Sequence, residues 1–136
     1  MRARSGVINL LLHGIGSPDL LAKTVVESAD SLLAEPSRKV DLVLTNPTFG
    51  RADDVPPART DFWAATADKQ LNFVQHVRSM LHVGGRTALF VPDSVLFIGG
   101  AGETIRRRLL KECDLHTLLR LPTGIFFRPG VKVNVL

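Results

Sequence analysis

The sequence predicts an α/β fold with a mostly parallel sheet, because strand-like and helical patterns alternate along its 136 residues. Residues 40–45 form an apolar, partly β-branched run with the length of a buried strand. Residues 67–81 follow a helical period, and residues 86–92 form a second apolar run that ends at a proline. A strand, a helix and another strand in this order form the unit from which parallel sheets are built.

The boundaries of these elements are predicted from residues that break regular structure. Gly14 ends an apolar helical stretch at the N-terminus, and Gly84-Gly85 end the central helix. The apolar face of the central helix is formed by residues about one turn apart, namely Leu71, Val74, Val77 and Leu81. The remaining predicted elements, in chain order, are a helix over 1–13, a strand over 24–29, a loop over 51–60, a helix that opens at 99–102 and runs to about 111, and buried strands over 115–121 and 131–136.

Composition excludes several classes of protein. Hydrophobic residues make up 45% and charged residues 22% of the chain, which is typical of a globular domain and not of a disordered segment. No apolar run approaches the roughly 20 residues that span a bilayer. The single cysteine, Cys113, excludes an internal disulfide and fits the reducing cytoplasm, which is the predicted location. The net charge of +4 fits a polyanionic partner such as nucleic acid without identifying one.

The strand over 40–45 ends in Asn46-Pro47-Thr48-Phe49, followed by Gly50. This places a carboxamide, a rigid carbonyl and an aromatic ring at the carboxyl end of a strand, where open α/β sheets bind ligands. Together these groups suit a planar ring with an exocyclic amine, such as adenine. The alternative is that Asn-Pro only ends the strand and begins a turn.

The run Asn46–Gly50 resembles motif IV of the adenine-specific DNA methyltransferases, which usually reads (Asp/Asn/Ser)-Pro-Pro-(Tyr/Phe). An ordered set of further blocks resembles the methylase subunit of type I restriction-modification systems. These blocks are Asn9–Gly14, Asp61–Trp63, Lys69–His76, Gly84–Phe97, Gly99–Glu103, Cys113–His116, Leu121–Phe126 and Gly130–Leu136. They cover nearly the whole chain in the order of the family.

The resemblance implies transfer of a methyl group from S-adenosylmethionine to the exocyclic amine of adenine in DNA. It assigns the Asn46 side-chain oxygen and the Pro47 carbonyl as acceptors for that amine, and Phe49 as the ring that stacks on the flipped-out base. Asn46 and Asp30 are the implied cofactor contacts. Asp30 has a second, compatible reading as a helix cap, since Asp30-Ser31 precedes an apolar pair.

Arg51 and Arg59 flank the loop after the motif and are the predicted contacts with DNA. The partners implied by the resemblance are double-stranded DNA, a specificity subunit, a second methylase subunit and a restriction subunit. We predict no metal site, because the four histidines show no ligand spacing.

Two departures from the family shape these expectations. Thr48 stands where a second proline is usual, which loosens the loop. The glycine-rich first strand and the acidic second strand of the family are not found upstream. We therefore expect residues 1–136 to form a partial class I, Rossmann-like methyltransferase domain that lacks the first two strands and is truncated in the last.

Such a fragment is not expected to methylate DNA alone. One alternative is a catalytically inactive remnant that binds DNA or a partner protein. Another is an unrelated nucleotide-binding α/β domain, but Gly99-Gly100-Ala101-Gly102 lacks the Lys-Ser/Thr of a phosphate loop.

Overall fold

A computed structural model describes residues 2–16, 26–49, 55–125 and 131–136. The chain divides into two compact units, Met1–Asp30 and Ser31–Leu136. The first unit holds helix α1, Arg2–Leu12, as predicted.

The strand predicted over 24–29 is wrong for residues 26–29, which form bends and irregular backbone. A strand needs a hydrogen-bonding neighbour, and the described part of this unit contains none. Residues 24 and 25 lie outside the described residues.

The second unit is built on a four-stranded sheet in the order β1-β2-β4-β3. The strands are β1 (Val40–Thr45), β2 (Leu81–Pro92), β3 (Leu119–Arg120) and β4 (Val133–Val135). β1 and β2 run parallel, whereas β4 runs antiparallel to both β2 and β3. Among the described strands, β1, β2 and β3 therefore share one direction and β4 opposes them, so the sheet is mixed, and the expectation of a mostly parallel sheet missed the reversal of β4. The short connection from β3 to β4 has no crossover helix among its described residues, and such a connection suits an antiparallel return.

Three helices accompany the sheet: α2 (Lys69–Met80), α3 (Asp93–Phe97) and α4 (Ala101–Glu112). The central and the later long helix were predicted from the sequence, but the short α3 was not. The strand predicted over 115–121 shrinks to the two residues of β3, and both are exposed where burial was expected. In the described parts of the chain, no helix is long and apolar enough to cross a membrane.

The core lies between the sheet and α2, and α4 packs against α2 and α3. The core contains eight buried aliphatic side chains: Val43, Leu71, Val74, Val77, Leu89, Val91, Val95 and Ile105. Burying each such side chain stabilises the fold by about 1.5–3 kcal/mol. The alternation of β1 turns Leu42 and Leu44 away from this core, and they are 58% and 72% exposed.

A bulge marks the start of β2. Val40 pairs with Leu81, but Leu42 pairs with Arg86, so β2 carries three extra residues between these pairs. Gly84 adopts a φ of +81°, and a Cβ on Gly85 would lie 3.0 Å and 3.2 Å from the backbone oxygens of His82 and Asp41. The two glycines thus shape the bulge, whereas the sequence predicted that they end the helix, which ends four residues earlier at Met80.

We expect Gly85→Ala to lower the free energy of unfolding by about 1–3 kcal/mol, because the new methyl group meets backbone atoms that cannot move aside. Gly99→Ala is the matched control, since a Cβ there has nothing within 4 Å. Its effect should stay within about 0.5 kcal/mol. Urea denaturation followed by circular dichroism measures both variants, and equal stabilities would contradict the bulge geometry.

Candidate functional site

The candidate site lies where β1 ends. Because β1 and β2 are parallel and Thr45 pairs with Leu89, Asn46 emerges at the carboxyl edge of this strand pair. Asn46 is exposed, the Pro47 ring is buried and Phe49 is half-buried. Within the described residues, no hydrogen bond engages the Asn46 carboxamide. The strand end therefore presents an open carboxamide beside a fixed proline and an aromatic ring.

Helix α2 approaches this strand end at its N-terminus. The Asp68 carboxylate caps the helix by accepting hydrogen bonds from the backbone N–H groups of Gln70 and Leu71 at 2.8 Å and 3.1 Å. The side-chain Nε2 of Gln70 in turn donates to the backbone carbonyl of Thr48 at 3.2 Å. The loop after β1 is thus tied to the start of α2.

Arg59 is buried at the other end of α2, and its side chain is 1% exposed. Its guanidinium donates to both carboxylate oxygens of Asp61, at 2.7 Å and 2.6 Å, and to Ser79 Oγ at 3.3 Å. It also donates to the backbone carbonyls of Ser31 and Ala34 and to His76 Nδ1. All five N–H donors of an arginine are therefore used inside the protein.

This arrangement changes the role of Arg59. A contact with DNA phosphates requires donors that reach solvent, and the Arg59 donors are directed at groups of the protein. The guanidinium also lies over the ring of Phe62, with its carbon 4.3 Å from the ring centroid. The structure assigns Arg59 to holding the segment that follows the loop, so we do not include it in the proposed DNA contacts.

Two ionisable groups around Arg59 are perturbed. The hydrogen bond from Arg59 is the main cause of the lowered pKa of the Asp61 carboxyl. Burial lowers the pKa of the His76 imidazole below its ordinary value of 6.5, and the positive charge of Arg59 acts in the same direction. Asp61 acts against this shift without reversing it. A neutral His76 is the form that accepts a hydrogen bond from Arg59.

The polar side of α2 binds the backbone of the preceding segment. Gln75 accepts from the Ala64 N–H at 3.0 Å and donates to the Ala64 carbonyl at 3.1 Å. Asn72 donates to the Thr66 carbonyl at 2.8 Å. The sequence predicted the apolar face of this helix and missed these amides. The signal was present as a second stripe at helical spacing: Asn72, Gln75, His76 and Ser79.

A second polar cluster lies at the same edge of the sheet, where β2 ends. Asp93 accepts from Asn134 at 2.8 Å and from Arg120 at 3.0 Å and 3.1 Å. Asn134 is fully buried, and its hydrogen bond is the main cause of the lowered pKa of the Asp93 carboxyl. This cluster joins β2, β3 and β4 next to the strand that carries Asn46, and sequence reasoning did not find it.

The other predicted site residues are placed as follows. Asp30 is exposed and belongs to the first unit. It does not cap a helix, because residues 31–33 form a turn. Arg51 lies outside the described residues.

The three consecutive arginines of α4 are engaged by neighbouring groups. Arg107 and Arg108 pair with Glu103 and Glu112, and Arg106 donates to the Val95 carbonyl. Helix α4 therefore offers less unpaired positive charge than its sequence suggests.

Two cavities in the described part of the chain lie away from the strand end. A cavity of about 490 Å³ lies against α1, and another of about 190 Å³ is lined partly by Glu35, Lys39 and Asp61. Neither is lined by the strand end. In the described ranges, no three or more His, Cys, Asp or Glu residues are grouped as a metal ion would need.

Comparisons with known proteins agree with one another. Residues 2–136 match the N-6 DNA Methylase family. The methylase subunit of the type I restriction enzyme EcoKI from Escherichia coli (strain K12) is 47% identical over 139 aligned residues, which cover 98% of this chain and 25% of the relative.

Solved structures give the same result. The crystal structure of the EcoKI M protein superposes with a TM-score of 0.81 and 44% identity, covering 97% of this chain and 27% of that chain. A structure concerned with complex assembly and conformational transition of the type I restriction-modification system superposes with a TM-score of 0.78 and 32% identity, covering 96% and 26%. The chain spans about a quarter of the length of the relatives it matches.

We expect Arg59→Met to lower the free energy of unfolding by about 1.5–3 kcal/mol, because the half-buried Asp61 carboxylate loses the donor that its charge is bound to. Arg78→Met is the matched control. Arg78 pairs with Glu112 and lies over Trp63, but it is 37% exposed, so its loss should cost about 0–1 kcal/mol. Urea denaturation measures both variants. An equal loss of unfolding free energy in the two would show that Arg59 stabilises the fold no more than an exposed arginine does.

We expect acidification to destabilise the fold through His76. The folded pKa lies below 6.5, so the unfolded chain binds the proton first, and stability falls as the pH drops from 6.5 towards the folded pKa. The slope contributed by one such group is at most about 1.4 kcal/mol per pH unit. Denaturation series from about pH 7 to about pH 5 should show this slope in the wild type and a smaller one in His76→Gln. Identical slopes would exclude His76 as the cause.

Proposed function

The chain belongs to the N-6 DNA methylase family, and from this premise we propose that it is part of an adenine-specific DNA methyltransferase of a type I restriction-modification system. In this proposal residues 1–136 are a partial catalytic domain, and the strand–helix–strand unit β1-α2-β2 belongs to a Rossmann-like sheet. The observation that carries the proposal is the open Asn46 carboxamide at the carboxyl edge of β1, beside the buried Pro47 and the half-buried Phe49.

The chemistry follows from what adenine requires. Its exocyclic amine is a weak nucleophile, because the nitrogen lone pair is conjugated with the ring. The Asn46 side-chain oxygen and the Pro47 carbonyl accept the two amine hydrogens and favour the pyramidal, nucleophilic form. These bonds strengthen as positive charge develops on the nitrogen, so they stabilise the transition state more than the bound substrate.

Phe49 stacks on the target base after it has left the duplex. Stacking of this kind contributes about 1–3 kcal/mol per base. S-adenosylmethionine supplies the electrophilic methyl group when it is bound. Asn46 is proposed to contact it at the strand end, and Asp30 remains the predicted contact with the amine of its adenine.

The proposed partners are double-stranded DNA, a specificity subunit that reads the sequence, a second methylase subunit and a restriction subunit, in the cytoplasm. A structure concerned with complex assembly of a type I restriction-modification system contains a chain of the same fold, which supports a role within such a complex. Arg51 is the remaining proposed contact with the DNA backbone.

We expect Asn46→Ala to lower the rate of methyl transfer by about 100- to 1,000-fold, because one of the two transition-state acceptors is lost. The assay measures transfer of tritiated methyl groups from S-adenosylmethionine to unmethylated DNA, with the chain alone and with its proposed partner subunits. Asn46→Asp is the matched control, since it keeps an acceptor oxygen at the same position. It should retain far more activity than Asn46→Ala.

Equal transfer by the wild type and Asn46→Ala would refute the catalytic assignment. DNA binding without methyl transfer in every preparation would instead support the alternative, a catalytically inactive module that binds DNA or a partner.

A further inference from the structure

A side chain from α2 holds the middle of the loop after β1. Gln70 is 7% exposed, and its Nε2 donates to the backbone carbonyl of Thr48 at 3.2 Å. Thr48 lies between Pro47 and Phe49, so this hydrogen bond acts on the short segment that carries the proposed base contacts. Gln70 itself is not one of those contacts.

The reach of Gln70 is fixed by its surroundings. Its backbone N–H is bound by the Asp68 cap, and the N–H of Asp68 donates to Thr66 Oγ1 at 3.1 Å. The next residue, Leu71, is buried in the core. The side chain therefore extends from a well-anchored position, and its amide reaches the Thr48 carbonyl without reordering the helix.

The loop needs such a restraint because of the residue at position 48. A proline there fixes its own φ and restricts the residue before it, whereas threonine does neither. The Thr48 side chain is exposed, so packing does not hold it. The hydrogen bond to its carbonyl is the described contact that limits this residue.

We propose that Gln70 is a positioning residue for methyl transfer. By holding the Thr48 carbonyl, it fixes the direction of the Pro47 carbonyl and the plane of the Phe49 ring. This inference rests on the proposed function. Because Gln70 acts on orientation, its loss lowers kcat and leaves the KM for S-adenosylmethionine nearly unchanged.

The first test measures the loop itself. Gln70→Met removes the side-chain amide and keeps a side chain of similar length. Gln75→Met is the matched control, because Gln75 lies on the same helix and its buried amide binds Ala64, which is not part of the loop after β1. Nitrogen-15 relaxation of the full 136-residue chain gives the order parameters of the Thr48 and Phe49 amides. We expect them to fall from about 0.85 towards 0.6 in Gln70→Met and to stay unchanged in Gln75→Met.

The second test measures the reaction and its rescue. In the assembly that methylates DNA, Gln70→Met should lower kcat by about fivefold to tenfold, the effect of one lost hydrogen bond. Adding Thr48→Pro restricts the backbone of residues 47 and 48 through the proline ring and should recover most of the lost kcat. A merely structural role of Gln70 would not be rescued by a proline on the loop.

Unchanged order parameters at Thr48 and Phe49 in Gln70→Met would overturn the inference, as would a kcat equal to that of the wild type. Equal changes of the order parameters or of kcat in Gln70→Met and Gln75→Met would also overturn the inference. If the wild type transfers no methyl group in any assembly, the proposed function fails, and the relaxation measurement still decides whether Gln70 holds the loop.

Discussion

Helix α2 is buried on two sides, and the rest of the second unit depends on the groups that each side contacts. One side is aliphatic and packs on the sheet through Leu71, Val74 and Val77. The other is polar, and every polar group removed from water there requires a hydrogen-bond partner. The irregular segment before the helix supplies those partners through the backbone of Ala64 and Thr66 and through the side chain of Arg59. Among the described residues, no buried side-chain nitrogen or oxygen is left without one.

The need for hydrogen-bond partners distinguishes the amides that stabilise the fold from the amide that we propose takes part in methyl transfer. The carboxamides of Asn72, Gln75 and Asn134 are buried and bound to protein groups. Asn46 carries the same functional group at the end of β1, but it is exposed. A carboxamide that the fold leaves open, at the edge where parallel strands end, is available to a ligand at little cost in stability.

Sequence reasoning found this strand end because two local signals agree there, an apolar run and the Asn-Pro that stops it. It also found the apolar face of α2. It missed the polar face because a stripe of Asn, Gln, His and Ser resembles a solvated surface. The contrary signal was charge: α2 has only Lys69 and Arg78 as charged residues, too few for an exposed face.

Other errors arose from long-range contacts that no local pattern contains. The direction of β4 depends on which strands it joins, and the burial of Arg59 depends on carbonyls that precede it by more than 20 residues. The strand predicted over 24–29 had a suitable composition but no described neighbour to pair with. The hydrophobic pattern of a segment indicates which secondary structure it can form, whereas the neighbouring strands available for hydrogen bonding decide whether it forms a strand.

The most direct test of this account uses the four asparagines of the chain as internal comparisons. Nuclear magnetic resonance of the side-chain amides, assigned by single replacements, would follow a titration with S-adenosylmethionine. The account predicts a saturable shift of the Asn46 amide, while the amides of Asn72 and Asn134 stay in place. An Asn46 resonance that does not move would contradict the assignment of this strand end as the methyltransferase site.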